Sequence, residues 1–153
     1  MQQEVTVLEV DWTEAIGAAT SVGSPYLFGW LRAYYVQPGL IADGQVVVVA
    51  RAEHSAEWTE YRGAVTLPEA DTLVCAFAVM GVPERAPRVE SIPDSSDTLY
   101  TSSVRIVVEQ RTQSFTVQAQ SSGFGGADAD GLREIFQRIL NLSGYGQWHT
   151  MFG

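Results

Sequence analysis

The chain has no lysine at all; its nine basic residues are all arginine. Without an ε-ammonium there is no Schiff-base chemistry, no lysine-dependent phosphoryl transfer and no phosphate loop of the Walker type. A coding bias toward arginine is the simplest source of the absence. Cysteine is nearly missing too: Cys75 stands alone, so no internal disulfide can form. It lies in the apolar run Leu73-Val74-Cys75-Ala76-Phe77-Ala78-Val79, where a thiol is expected to serve as a small buried hydrophobe. His54 and His149 are the only histidines. With one cysteine they make a poor supply for a zinc site, which needs three or four converging ligands. Glu53, Ser55 and Glu57 surround His54, but there is no Gly-x-Ser-x-Gly elbow, and adjacent residues rarely align for proton transfer. A surface histidine is the reading. No run approaches the roughly 18 apolar residues of a membrane span. Met1-Gln2-Gln3-Glu4 lacks the basic start and apolar stretch of a secretion signal, so a cytosolic site of synthesis and no membrane partner are expected. No catalytic, metal-binding or cofactor-binding constellation announces itself, and the expectation is a protein that is not an enzyme and needs no cofactor.

What is present is an ordinary globular composition. The 153 residues are 46% hydrophobic and 18% charged, enough apolar material for one core, and a second domain would be hard to furnish. Residues 1–153 are therefore read as a single domain. The net charge is −9, which repels phosphates and anionic membranes. Nucleic-acid binding is disfavoured unless the arginines gather on one face.

The pattern along the chain predicts an α+β fold, mainly antiparallel sheet with one or two helices packed on one face. Val5 to Val10 reads as a short strand. Asp11 and Glu14 have the spacing of a capping box, which predicts a helix over 11–22. Tyr26 to Val36 is aromatic-rich and fits either a strand pair or a buried helix. Gln37-Pro38-Gly39 and Asp43-Gly44 read as turns. The valines of 45–52 suit a strand covered on both faces, and 53–60 reads as a loop or one helical turn. The run 73–80 predicts another buried strand. Pro83, Pro87, Pro93 and the polar stretch Asp94-Ser95-Ser96-Asp97 predict a long mobile loop over 82–98. Val104 to Gln110 reads as a strand, and 111–114 can turn the chain back. Residues 115–120 then alternate, with Phe115, Val117 and Ala119 inward and Thr116, Gln118 and Gln120 outward, toward solvent or a partner. Leu132, Ile135, Phe136, Ile139 and Leu140 form one apolar stripe of a helix that starts near Asp128 and Asp130 and stops at Ser143-Gly144.

Three segments are candidates for function. The aromatic residues Tyr26, Phe28, Trp30, Tyr34 and Tyr35 either pack the core or present a stacking surface for a sugar or a protein. A small-ligand site in the aromatic segment 26–36, with acidic residues nearby, is the alternative functional reading. The glycine-rich stretch 123–131 stands where a phosphate loop would, but its two aspartates and lack of a cation argue against an anion. As a calcium loop it lacks the third acidic position and the distal glutamate. The tail 143–153 holds Trp148, Met151 and Phe152, side chains costly to leave in water, and either folds back or docks on a neighbour. Thr116, Gln118 and Gln120 join them as candidate interaction residues.

The stretch Phe115-Thr116-Val117-Gln118-Ala119-Gln120, then Gly123 to Asp130, then Leu132-Arg133-Glu134-Ile135-Phe136-Gln137-Arg138-Ile139-Leu140 resembles the tail terminators (tail-completion proteins) of tailed bacteriophages. In that family a strand with a Val-Gln pair precedes an alanine-led helix, and here Ala127 or Ala129 and Leu132 fill those places. The resemblance covers roughly 40 residues. It implies a small α+β structural protein of the virion, at the neck or tail. Such a protein would form a ring of its own copies, commonly a hexamer, and contact tail-tube and neck proteins. It implies no catalytic residues, and an acidic inner surface suits a ring through which DNA slides without sticking.

Overall fold

A computed structural model describes residues 3–18, 24–37, 41–51, 56–91, 98–119 and 124–145. Its core element is a six-stranded antiparallel sheet made of β1 (Gln3–Ala18), β2 (Ser24–Gln37), β3 (Ile41–Arg51), β4 (Trp58–Ala64), β6 (Thr98–Val108) and β7 (Arg111–Ala119), in the order β4-β3-β2-β1-β6-β7. Two helices, α1 (Leu67–Val79) and α2 (Ala129–Ser143), pack on it, and β5 (Glu90–Ser91) pairs with β8 (Phe124–Gly125) as a separate two-stranded ribbon. The expected α+β class with helices over a mainly antiparallel sheet is what the molecule has.

The strand register sorts every side chain to one of two faces. On the inner face, one row across the sheet runs Tyr61, Val48, Gly29, Trp12, Val104, Phe115. The next rows hold Gly63, Val46, Leu31, Val10 and Ile106, and then Ala50, Leu27, Glu14, Ser102 and Val117. The α2 stripe covers them: Leu132, Ile135, Phe136, Ile139 and Leu140 are all buried, and the Phe136 ring meets Trp12 edge-on at 5.7 Å. Glycine makes two of these contacts possible. A Cβ on Gly29 would lie 2.6 Å from the Val47 carbonyl and 2.9 Å from the Trp12 ring, and one on Gly63 would lie 1.7 Å from the Leu142 carbonyl. Helix α2 can therefore sit directly on strand β4. It ends where Gly144 takes the left-handed conformation at φ 83°, which glycine adopts without strain.

Several local expectations are overturned. Residues 11–18 continue β1 instead of starting a helix: the alternation Leu8, Val10, Trp12 inward and Glu9, Asp11, Thr13 outward carries straight through the capping-box spacing. The aromatic segment 26–36 is one long strand, β2. Asp43-Gly44 does not turn but pairs within β3 with Tyr34 and Ala33. Gly44 is needed there because the Val65 carbonyl lies 2.2 Å from where its Cβ would be. Strand β4 begins at Trp58 and takes the end of the expected loop at 53–60, whose residues 56–57 are irregular and 53–55 lie outside the described residues; β4 is polar because it is an edge. The run 73–80 is helix, not strand. Thr66 caps α1, accepting from the Glu69 amide while the Glu69 carboxylate accepts from the Thr66 amide, and Pro68 fits the first turn. Cys75 is consequently exposed on α1, contrary to the buried role expected. The chain reverses between β6 and β7 at Glu109 and Gln110, with φ 50° and 68°, two residues earlier than the 111–114 turn.

The loop at 82–98 begins as expected, irregular through 82–89, but it is pinned. Val82 and Pro83 are buried. The Asp128 carboxylate accepts from Arg85 through both oxygens, at 2.7 and 3.1 Å, and from the Arg88 amide at 2.6 Å. Gln113 donates to the Pro83 carbonyl, and Arg111 pairs with Glu84. The rest of that expected loop, beyond β5, lies largely outside the described residues, as do the Gln37-Pro38-Gly39 turn past Gln37, His54, His149 and the tail beyond Tyr145.

Candidate functional site

Among the described residues, helices cover the inner face of the sheet and none lies over the outer face. Reading across the strands in register defines that outer face. One row runs Arg62, Val47, Trp30, Asp11, Arg105, Ser114, and the next Glu60, Val49, Phe28, Thr13, Ser103, Thr116. They are flanked on one side by Gln45, Arg32, Glu9, Val107 and Thr112. On the other side come Trp58 with Arg51, and Ala15, Thr101 and Gln118. Two sequence candidates that lie some 90 positions apart, the aromatic segment and the glutamine-faced strand, thus end up on one surface. Phe28 and Trp30, with Thr116, Asp11, Thr13 and Arg105, line an open depression of about 710 Å³ on it.

The surface is graded. Over β2, β3 and β4 it is aromatic: Phe28 and Trp58 are 41% and 44% exposed, with ring centroids 5.4 Å apart. Arginines lie over the indoles, Arg32 at 5.4 Å from Trp30 and Arg51 at 5.5 Å from Trp58, positions in which a guanidinium is drawn to the ring face. In the centre is an ion-pair lattice. Asp11 accepts from Arg32 at 2.6 Å and from Arg105 at 3.2 Å, one on each oxygen, while Glu9 lies 4.0 Å from Arg32 and 3.7 Å from Arg105. Over β6 and β7 it is hydroxyl-rich, with Ser103 and Thr116 3.5 Å apart.

This arrangement weighs against two chemistries. Four of the nine arginines do gather on this face, the condition under which nucleic acid would return to consideration. But Arg32 and Arg105 are satisfied by Glu9 and Asp11, and Arg62 by Glu60 at 2.8 Å, so little positive potential is left for phosphates. A small ligand in the depression would find both Asp11 oxygens taken and a face of Trp30 covered. Aromatic and arginine side chains on a broad sheet instead have the composition of a protein–protein interface.

Other sequence candidates do not converge. Asp128 is nearly buried and bound to Arg85, whose guanidinium, together with the Arg88 amide, holds the carboxyl below the usual carboxylate range and is itself raised by the pairing. Asp130 is exposed and pairs with Arg133 at 2.8 Å. The two aspartates thus do not share a site, and no group of three or more metal-ligating side chains occurs among the described residues. Of the interaction candidates, Thr116 and Gln118 are exposed on the outer face; Gln120, Trp148, Met151 and Phe152 lie outside the described residues. Sequence reasoning missed Trp58 and the lattice of Glu9, Asp11, Arg32 and Arg105. A strand reading of 3–18 would have placed Glu9 and Asp11 on one face; Arg105 joins them only through pairing with β6.

The inner face holds a buried carboxylate. Glu14 is 1% exposed, with Tyr26 and Tyr145 near it and Tyr100 packed edge-on against Tyr26. Burial first, then the nearby Glu14 carboxylate, pushes the Tyr26 and Tyr145 hydroxyls above the ordinary tyrosine range. Among the described residues no helix is long and apolar enough to cross a membrane. Set against known protein families and curated protein sequences, the chain matches none. Function therefore has to be argued from the face itself.

Proposed function

We propose that the chain is a structural assembly protein of a tailed-phage virion, a tail terminator or neck–tail connector, working through protein–protein contacts in a ring. The observation that carries the protein-binding part is the outer face: three large aromatics and four arginines stand on a sheet which, among the described residues, has helices over its opposite side alone. Phe28 and Trp58 are already more than half buried, so covering what remains of the three aromatics against a partner is worth about 1 kcal/mol per side chain. The virion assignment is supported by the resemblance over 115–142, where β7 delivers Thr116 and Gln118 to that same face and α2 anchors it from behind. The partners on this reading are copies of the chain itself, tail-tube subunits and neck proteins, and the protein resides in the assembled particle. A binding module for small molecules in segment 26–36 is the lesser reading, because Asp11 with Arg105, and Ser103 with Thr116, already pair within the depression.

Deleting the gene from the phage that encodes it and imaging the resulting particles tests the proposal. Tails of unregulated length, or heads and tails that fail to join, are expected. Normal joined particles would rule the assignment out.

A further inference from the structure

Charge sorts the surfaces of this molecule. Within the four outer-face rows, Arg32, Arg51, Arg62 and Arg105 stand against Glu9, Asp11 and Glu60, four positive charges to three negative. The whole chain carries −9, while these four rows come close to balance. Two copies meeting through these rows bring little net charge together. On the outer face they meet a balanced lattice in which Arg32 and Arg105 alternate with Glu9 and Asp11, a pattern that complements itself.

The dimensions agree. Six strands spaced about 4.8 Å apart and four rows about 6.8 Å apart give roughly 500 Å² of projected sheet. Two such faces together come to about 1,000 Å², the size of a weak, transient interface. A covering sheet packs face to face about 10 Å away, in an aligned sandwich.

We infer that the outer sheet face binds a second copy of this chain, sheet against sheet across a two-fold axis, with Phe28, Trp30 and Trp58 of each copy packing into the partner's outer face. This deepens the assembly reading above and rests on it for its biological setting. The pairing is isologous, so it closes at two copies and joins subunits by a contact distinct from the head-to-tail contacts of a ring. Apolar contact drives it while net charge opposes it. Raising salt from about 10 mM to about 150 mM shortens the Debye length from about 30 Å to about 8 Å and should tighten association. An interface held by charge pairs between copies would loosen instead.

Sedimentation velocity through the micromolar range on the full chain tests this. We expect a monomer–dimer equilibrium that tightens with salt. The double substitution Phe28→Ser and Trp30→Ser should weaken it at least about tenfold, as loss of aromatic anchors does. Val79→Ser, at an apolar residue 88% exposed on α1, should leave it unchanged. Trp58→Ser, at the sheet edge, provides a second variant should the double substitution unfold the chain, which circular dichroism reports. A wild-type chain that stays monomeric, or association indifferent to all outer-face substitutions, overturns the inference. The two proposals fail separately. If the chain is monomeric but Trp58→Ser blocks its incorporation into particles, the second copy falls and the assembly role stands. If the dimer forms through this face but gene deletion leaves particles normal, the pairing stands and the assembly role falls.

Discussion

Replacing Asp128 tests how the chain between α1 and β6 is held. Its side chain is 9% exposed, and it accepts two hydrogen bonds from Arg85 and one from the Arg88 amide. The amide bond to a charged acceptor contributes on the order of 1.5–3 kcal/mol. The Arg85 pair adds little, because its guanidinium side is 40% exposed and solvent screens it. Asp128→Ala should therefore cost about 2–3 kcal/mol. Asp128→Asn, which keeps one acceptor, should cost less. With a urea slope of about 1–3 kcal/mol/M for small proteins, the alanine variant's midpoint, followed by tryptophan fluorescence, should drop by about 1 M. Acid should erase the difference. The folded carboxyl is held below its ordinary value, first by Arg85 and then by the Arg88 amide. Its contribution is thus fully present above the unfolded aspartate value near 3.9 and is lost as pH falls through the lower, folded one. The midpoints of wild type and variant should be furthest apart at neutral pH and converge below about pH 3.9. Asp130→Asn, at a side chain 99% exposed, is the control and should shift the midpoint little at any pH. If the Asp128→Ala gap is negligible at pH 7, or is unchanged in acid, the clasp does not hold this loop as described.

Three further outcomes follow from single contacts. Gly63→Ala forces a Cβ into the Leu142 carbonyl and should lift the end of α2 off β4, costing at least about 1–3 kcal/mol and reducing hydrogen-exchange protection in 139–143 before that of the β1–β2 pair. Glu109→Asn with Gln110→Gly places favoured residues at two positive-φ positions of the β6–β7 hairpin and should raise thermal stability by about 0.5–1 kcal/mol; lower stability contradicts the turn geometry. Ser102 is wholly buried, with its hydroxyl unpartnered among the described residues. Ser102→Ala should be neutral or stabilising by up to about 1 kcal/mol in chemical denaturation, because an unsatisfied polar group disappears.

Much of the scaffold was legible, and the misreadings share a cause. The stripe from Leu132 to Leu140, the αL glycine after it, and the alternation from Phe115 to Val117 each carry a period that only one element satisfies. The runs 11–22 and 73–80 carry two signals at once. Asp11 and Glu14 mimic a helix start, but Trp12 and Glu14 are both inward residues of a strand, and a buried glutamate is what hid the alternation. Leu73 to Val79 is apolar on nearly every side, which short strands and helices share; the capping pair Thr66 and Glu69, a few residues upstream, was the cue that distinguished them. The outer face was half legible. Its aromatics and its Thr116 and Gln118 could be singled out, but their meeting depends on β6 inserting between β1 and β7, a long-range pairing with no local sequence signal.

That insertion also bears on how the polypeptide is made. Strands β1 to β4 form a meander that can assemble as soon as it leaves the ribosome, but β1 then remains a bare edge until residues 98–108 emerge to pair with it. During that interval its unpaired amides and carbonyls are a template for other nascent chains. Slower elongation between residues 65 and 98, or a shortage of chaperones, should therefore show first as insoluble protein, with the finished molecules no less stable than before.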